Sequence, residues 1–166
     1  MGSPADLVEQ LRELESTVAT AESLTGGKLA ARLTGVPGSS AVFAGGVVSY
    51  HTRVKVDVLG VSQETVDEHG VVSAACAREM AAGARRLLGT TYGVSTTGVA
   101  GPQRQEDKPV GTVFVGVAGP HGVHAVELAL DGDRPTVQEA SVDEALSALA
   151  DMIGSDSQPP EDSTLR

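Results

Sequence analysis

Tryptophan is missing from this 166-residue chain, and only two tyrosines and two phenylalanines supply aromatic bulk. Apolar residues make up 40 % of it, mostly Ala, Val and Leu, so the core has to be assembled from small and β-branched side chains. Such side chains suit buried strands packed under Ala-rich helices. Cysteine is almost missing too. Cys76 stands alone, which excludes an intrachain disulfide and fits a reducing, cytoplasmic compartment. No apolar run is long enough to span a bilayer, and the N-terminus is polar and acidic, unlike a signal peptide. Positive charge is scarce: 12 Lys and Arg stand against 22 Asp and Glu, a formal net charge of -10. Nucleic acid demands a basic footprint and an anionic membrane attracts basic segments, so neither is an expected partner. His51, His69, His121 and His124 have no zinc-like spacing with Cys76, so no metal site is expected. A small anionic ligand stays compatible, because a few local cations suffice for one phosphate.

What is present is a regular alternation of elements. Ser3-Pro4 reads as an N-cap and first-turn proline, with Leu7, Leu11 and Leu14 on one helical face. Residues 17–21 read as a buried strand and 26–34 as a helix with Leu29, Ala30 and Leu33 inward. A strand is expected over 42–50, then a helix over 52–59 with Val54, Val58 and Leu59 as its apolar side. Ser62 and Ser73 cap two further helices, the second carrying Cys76, Met80, Ala84 and Leu87 on one face. A third strand covers 92–97, a polar loop 98–110, and a hairpin 111–130. Pro135 opens the last helix, with Val142, Leu146, Leu149 and Ile153 on one side. This order predicts one α/β domain over residues 1–154, a three-layer α/β/α sandwich with a mixed β-sheet, and a disordered acidic tail over 155–166.

Four stretches carry residue types suited to chemistry. Ala-Glu-Ser23-Leu-Thr25-Gly26-Gly27 joins a strand end to a helix start, where unpaired N–H groups and the helix dipole welcome an anion. Adjacent glycines let a ligand approach the backbone. Either Ser23 is a nucleophile held there, or Ser23 or Thr25 is an ordinary N-cap. Lys55, in Tyr50-His-Thr-Arg-Val-Lys55, is either a solvated charge or a general base. At an ordinary pKa only about one lysine in 2,500 is neutral at pH 7, so a base needs burial or a neighbouring cation such as Arg53. Thr97-Gly98 ends a strand, and in open α/β sheets ligands sit beyond carboxyl ends of strands. The loop that follows, through Lys108, is either part of a site or a mobile surface loop. Arg134, in Asp131-Gly-Asp-Arg134, is either a fork for phosphate or a partner of Asp131 or Asp133. His51 alone carries little weight, and Cys76 reads as core.

In order, Ala-Glu-Ser23-Leu-Thr-Gly-Gly, Val-Pro-Gly-Ser-Ser40, Gly-Gly-Val-Val-Ser-Tyr50, Lys55, Val-Leu-Gly-Val61, Thr-Gly-Val-Ala-Gly-Pro102, Lys-Pro-Val-Gly-Thr112 and Gly-Asp-Arg134 resemble the CinA C-terminal domain family over residues 5–153. These are the nicotinamide mononucleotide deamidases. The resemblance implies an α/β/α fold and a Ser–Lys amidohydrolase that converts nicotinamide mononucleotide and water to nicotinic acid mononucleotide and ammonia. Ser23 then matches the nucleophile and Lys55 the general base. Tyr50, Thr97 and Arg134 match polar residues supporting the site, with backbone N–H groups from Thr25 to Gly27, and Thr97, at the oxyanion. Arg134 and Lys108 or the helix N-terminus would hold the phosphate, beside Gly98. No metal or organic cofactor is implied. Many members carry an N-terminal molybdopterin-binding-like domain, so this chain resembles the stand-alone form. A homo-oligomer is the expected assembly, and the Ala-rich face over 74–84 suits either a subunit contact or the core. The chain departs from the family at Leu24, often Cys, at His51-Thr52, commonly Ser-Asn, and at residues 103–107, usually a glycine-rich turn. That last change bears on substrate closure. The rival expectation is a pyridine-nucleotide-binding or interaction module on the same fold, without catalysis.

Overall fold

A computed structural model describes residues 2–158. Among these, five strands form one sheet: β1 (Val18–Glu22), β2 (Phe43–Val48), β3 (Tyr92–Gly98), β4 (Thr112–Gly119) and β5 (Gly122–Ala129). The helices are α1 (Pro4–Glu13), α2 (Lys28–Thr34), α3 (Thr52–Asp57), α4 (Gln63–His69), α5 (Ala74–Leu88) and α6 (Arg134–Asp156). The sheet order is β2-β1-β3-β4-β5. β1 runs parallel to both β2 and β3, and β4 and β5 add on antiparallel. This is the expected α/β architecture with a mixed sheet.

The layers follow from which way each strand residue points. Successive side chains of a strand alternate between faces. Val18 joins a core with Leu7 and Leu11 of α1, Leu29 and Leu33 of α2, and Leu149 and Ile153 of α6. Ala19 and Ala21 join a second core on the opposite face, with Leu59, Cys76, Ala77 and Met80. The Ala-rich face of α5 therefore packs inside the molecule against the sheet. Small residues let it come close: Ala77 O accepts from Ser95 Oγ at 2.6 Å.

Several expectations shift in detail. β2 stops at Val48, so Ser49 and Tyr50 leave the sheet instead of ending the strand. α3 is only six residues long, and Val58, expected inward, caps it at 44 % exposed; its buried residue is Lys55. Leu14 closes α1 on the surface, Ala30 is half-buried, and Leu87 points outward at 51 % exposed while Leu88 packs over β2. Each misplaced residue sits at a helix end or one position off the stripe, where periodicity defines a face least well. α6 continues to Asp156, so Ser155 and Asp156, expected in the tail, are helical. Ser157 and Gln158 follow as a turn and a bend, and the rest of the expected tail, residues 159–166, lies outside the described residues.

Parallel pairing brings the carboxyl ends of β1, β2 and β3 to one edge of the sheet. The start of β4 comes to the same edge because it runs the other way, and the end of β5 because it runs antiparallel to β4. The loops bearing Ser23, Tyr50, Thr97 and Arg134 therefore converge there, whatever their separation in sequence. The close seat of α5 gives a stability test. A Cβ on Gly116 would lie 2.1 Å from Ala77 O. Gly116→Ala is expected to destabilise the fold by about 2 kcal/mol or more in urea unfolding, as overpacking against backbone does.

Candidate active site

A cavity of about 420 Å³ opens at that edge. Its walls come from the turn after β1, from Tyr50 and α3, from Val71-Val72, from the loop after β3, and from the first residue of α6. The volume lies within the range of small-molecule sites.

At its floor, Lys55 Nζ stands 2.9 Å from Ser23 Oγ. Ser23 is 9 % exposed and Lys55 only 2 %. The amine also donates to Ser49 O at 2.6 Å and reaches Tyr50 O at 3.5 Å. Those two carbonyls are available because β2 ends at Val48. Ser49 turns back on β1, its N–H and hydroxyl both donating to Glu22 O. Burial pushes the Lys55 ammonium below its ordinary lysine range, while the charge of Glu106 acts the other way. The thiol of Cys76 is pushed up to about 12 by burial, so it is uncharged at neutral pH.

Glu22, next to the serine, points to the opposite face of β1. Its carboxylate is buried and accepts from Leu29 N at 2.7 Å, Ala30 N at 3.1 Å and Thr25 Oγ1 at 2.7 Å. The Thr25 hydrogen is thereby used, so Thr96 Oγ1 is the donor in its 2.7 Å contact with Thr25 Oγ1. Glu22 thus serves as the anion at the start of α2, which the sequence left open to a ligand. Gly27, with φ 105°, is the N-cap position, and no side chain caps the helix there. Neither Ser23 nor Thr25 is its cap.

Ser23, Lys55, Tyr50, Thr97, Gly98 and Arg134 line the one cavity. Thr25, Gly26, Gly27 and Lys108 do not. Thr25 is held by Glu22, and Gly26 N–H donates to Ser23 O at 3.1 Å, closing the turn that carries the serine. Lys108 donates to Val72 O. Thr97 lines the cavity, but its hydroxyl donates to Val71 O at 2.7 Å, so that hydrogen is not free for an oxyanion. Arg134 pairs with neither Asp131 nor Asp133. It donates to Gly101 O at 2.7 Å and to the Tyr50 hydroxyl at 2.9 Å, and Asp133 caps α6 at Thr136. His51 is exposed, its ring accepting from Arg53 N. Sequence reasoning passed over Ser49, Glu22, Thr96 and Glu106. Glu22 had a visible signal: a lone carboxylate closing an otherwise apolar strand. Among the described residues, no cluster of three or more His, Cys, Asp or Glu is placed to hold a metal ion. Nor is any helix among them long and apolar enough to cross a membrane.

The model of the CinA C-terminal domain matches residues 3–153. The chain belongs to the CinA C-terminal domain family. A CinA-like protein of Frankia casuarinae is 52 % identical over 143 residues, covering 86 % of this chain and 33 % of the relative. A CinA-like protein of Salinibacter ruber is 49 % identical over 151 residues, covering 88 % of this chain and 37 % of the relative. The chain thus spans about a third of the length of the curated relatives it matches. Solved structures align over nearly their whole length. A CinA superfamily protein of Klebsiella pneumoniae superposes with a TM-score of 0.88 at 32 % identity, covering 92 % of this chain and 96 % of that one. The competence/damage inducible protein CihA of Agrobacterium tumefaciens gives 0.84 at 35 % identity, covering 93 % and 97 %.

In this CinA domain, three donors depend on one buried carboxylate. Glu22→Ala would orphan Leu29 N, Ala30 N and the Thr25 hydroxyl. A loss of about 3 kcal/mol is expected in chemical denaturation. An unchanged midpoint would mean that the α2 start is capped by something else.

Proposed function

We propose that this domain is a nicotinamide-nucleotide amidohydrolase that uses Ser23 and Lys55 to cleave the carboxamide of nicotinamide mononucleotide, giving nicotinic acid mononucleotide and ammonia. The observation that carries the reading is the buried 2.9 Å contact between Lys55 Nζ and Ser23 Oγ. A surface lysine has no reason to be buried against a hydroxyl. A lysine that must lose its proton at neutral pH does. When Lys55 is neutral, its two N–H bonds can face Ser49 O and Tyr50 O. Its lone pair then faces Ser23.

Lys55 takes the Ser23 proton as Oγ bonds to the carboxamide carbon. The carbonyl oxygen becomes an oxyanion, held by the backbone N–H of Leu24, the residue of the turn after Ser23 that lines the cavity; one such donor contributes about 3 kcal/mol. The amide of Gly26 does not take part, since it donates to Ser23 O. Protonated Lys55 passes its proton to the leaving nitrogen, the C–N bond breaks, and ammonia departs. Water then attacks the acyl-enzyme. Lys55 takes the water proton and returns it to Ser23 Oγ as the acid leaves. With Glu22 closing the start of α2, the phosphate falls to Arg134 in the cavity wall. Its guanidinium is already oriented by Gly101 O and Tyr50.

Purified protein given nicotinamide mononucleotide is expected to release ammonia. Ser23→Ala should bind the nucleotide and release none, and Lys55→Ala should lose at least a thousandfold in kcat at neutral pH, about the scale of losing an essential base. Undiminished turnover by Ser23→Ala would remove the serine from its role. The pH profile tests the base separately. Lys55 acts when neutral and burial lowers its pKa, so kcat/KM should rise with pH and level off below the ordinary lysine value of about 10.4. A rate that falls across that limb is incompatible with a lysine base.

A further inference from the structure

The loop between β3 and β4 grips a distant segment of the cavity wall. Glu106 accepts from Val71 N at 2.9 and 3.1 Å through its two oxygens, and from Val72 N at 2.8 Å. Two residues on, Lys108 Nζ donates to Val72 O. One loop thus satisfies both the amides and a carbonyl of the same dipeptide. Thr97 takes the remaining carbonyl, Val71 O. Space is reserved for this grip, since a Cβ on Gly70 would lie 1.9 Å from Glu106 Oε2. The turn that presents the carboxylate is closed by Lys108 N donating to Gln105 O at 2.9 Å. Glu106 and Asp107 both take φ above 50° to make it, a conformation non-glycine residues adopt only when something holds them.

Both sides of the grip are cavity wall. Val71 and Val72 line the cavity, and Gln103, Arg104 and Gln105 of the loop line its rim. Arg104 is braced from within the loop, donating to Asp107 O at 2.6 Å. The rim carries side-chain amides and a guanidinium, donors suited to a phosphorylated sugar rather than to the scissile carboxamide.

We propose that Glu106 and Lys108 are positioning residues that clip this loop onto the Gly70–Val72 segment, so that the Gln103–Gln105 rim is fixed to bind the sugar-phosphate end of the substrate. The proposal rests on the amidase reading of the cavity. It assigns the clip to affinity, while chemistry stays with Ser23 and Lys55. The residues replacing the family's glycine-rich turn are then a substitute fastening, in which side chains hold a rim that would otherwise be free.

The test separates the clip from the reaction. In the Ser23→Ala protein, nicotinamide mononucleotide is titrated by calorimetry with and without Glu106→Ala. The dissociation constant should rise about tenfold, the scale of losing one charge-assisted fastening. Lys108→Ala should shift it in the same direction. Glu106→Gln, which keeps one acceptor oxygen, should fall between. In the active protein, compared on the high-pH plateau where Lys55 is already neutral in both forms, Glu106→Ala should raise KM by a similar factor with kcat within about twofold. Trypsin should cut after Arg104 faster once the clip is gone. An unchanged dissociation constant, a loss confined to kcat, or an unchanged rate of tryptic cleavage would each overturn the proposal. A full affinity effect in a protein that releases no ammonia would support the clip and sink the amidase reading.

Discussion

Everything at this site follows from burying an amine against a hydroxyl. A lysine ammonium taken out of water loses solvation that a single hydroxyl cannot replace. The fold offsets this with two carbonyls, of Ser49 and Tyr50, placed where β2 leaves the sheet. The offset is incomplete, which is why burial still holds Lys55 below the ordinary lysine range. An ion pair would have compensated more fully, but it would have fixed the proton on the amine. Carbonyl partners steady the group and leave its proton exchangeable.

That reasoning explains the arrangement of Glu22 and Ser23. The two are neighbours in sequence, yet strand alternation sends them to opposite faces. The carboxylate goes under α2, where three donors hold it. The hydroxyl goes to Lys55. Had the register slipped by one residue, the carboxylate would face the lysine and raise its pKa, and the hydroxyl would sit under the helix. The strand thus sends the carboxylate under α2, away from the buried amine of Lys55.

The fold was largely legible in the chain. Alternation of strands and helices, with a hairpin at the end, implied the mixed sheet and its two covered faces, and element ends shifted by one or two residues. The site was legible in its residue types and less so in their partners. Ser23, Lys55, Tyr50, Thr97, Gly98 and Arg134 meet in one cavity, because parallel strands deliver their ends to one edge. What sequence could not supply was competition among partners. Gly26-Gly27 read as an open anion site, but nothing in the spacing says that Glu22, four residues before Gly26, folds under the helix and fills it. Likewise α3 appeared to bury Val54 and Val58. The residue it buries is Lys55, since the cavity and not the apolar stripe sets the orientation of so short a helix.

Filling the α2 start has a consequence for how ligand charge is read. In a chain of net charge -10, an anion needs a local cluster of donors, and the helix terminus nearest the serine is already neutralised. The cations left at the cavity besides Lys55 are Arg134 and Arg104, both pre-oriented by backbone carbonyls, Gly101 O and Asp107 O. A ligand anion that engages either one meets a guanidinium whose direction is already set by a backbone carbonyl. The set directions of these two guanidinium groups, rather than net charge, therefore decide where an anion can sit in the cavity.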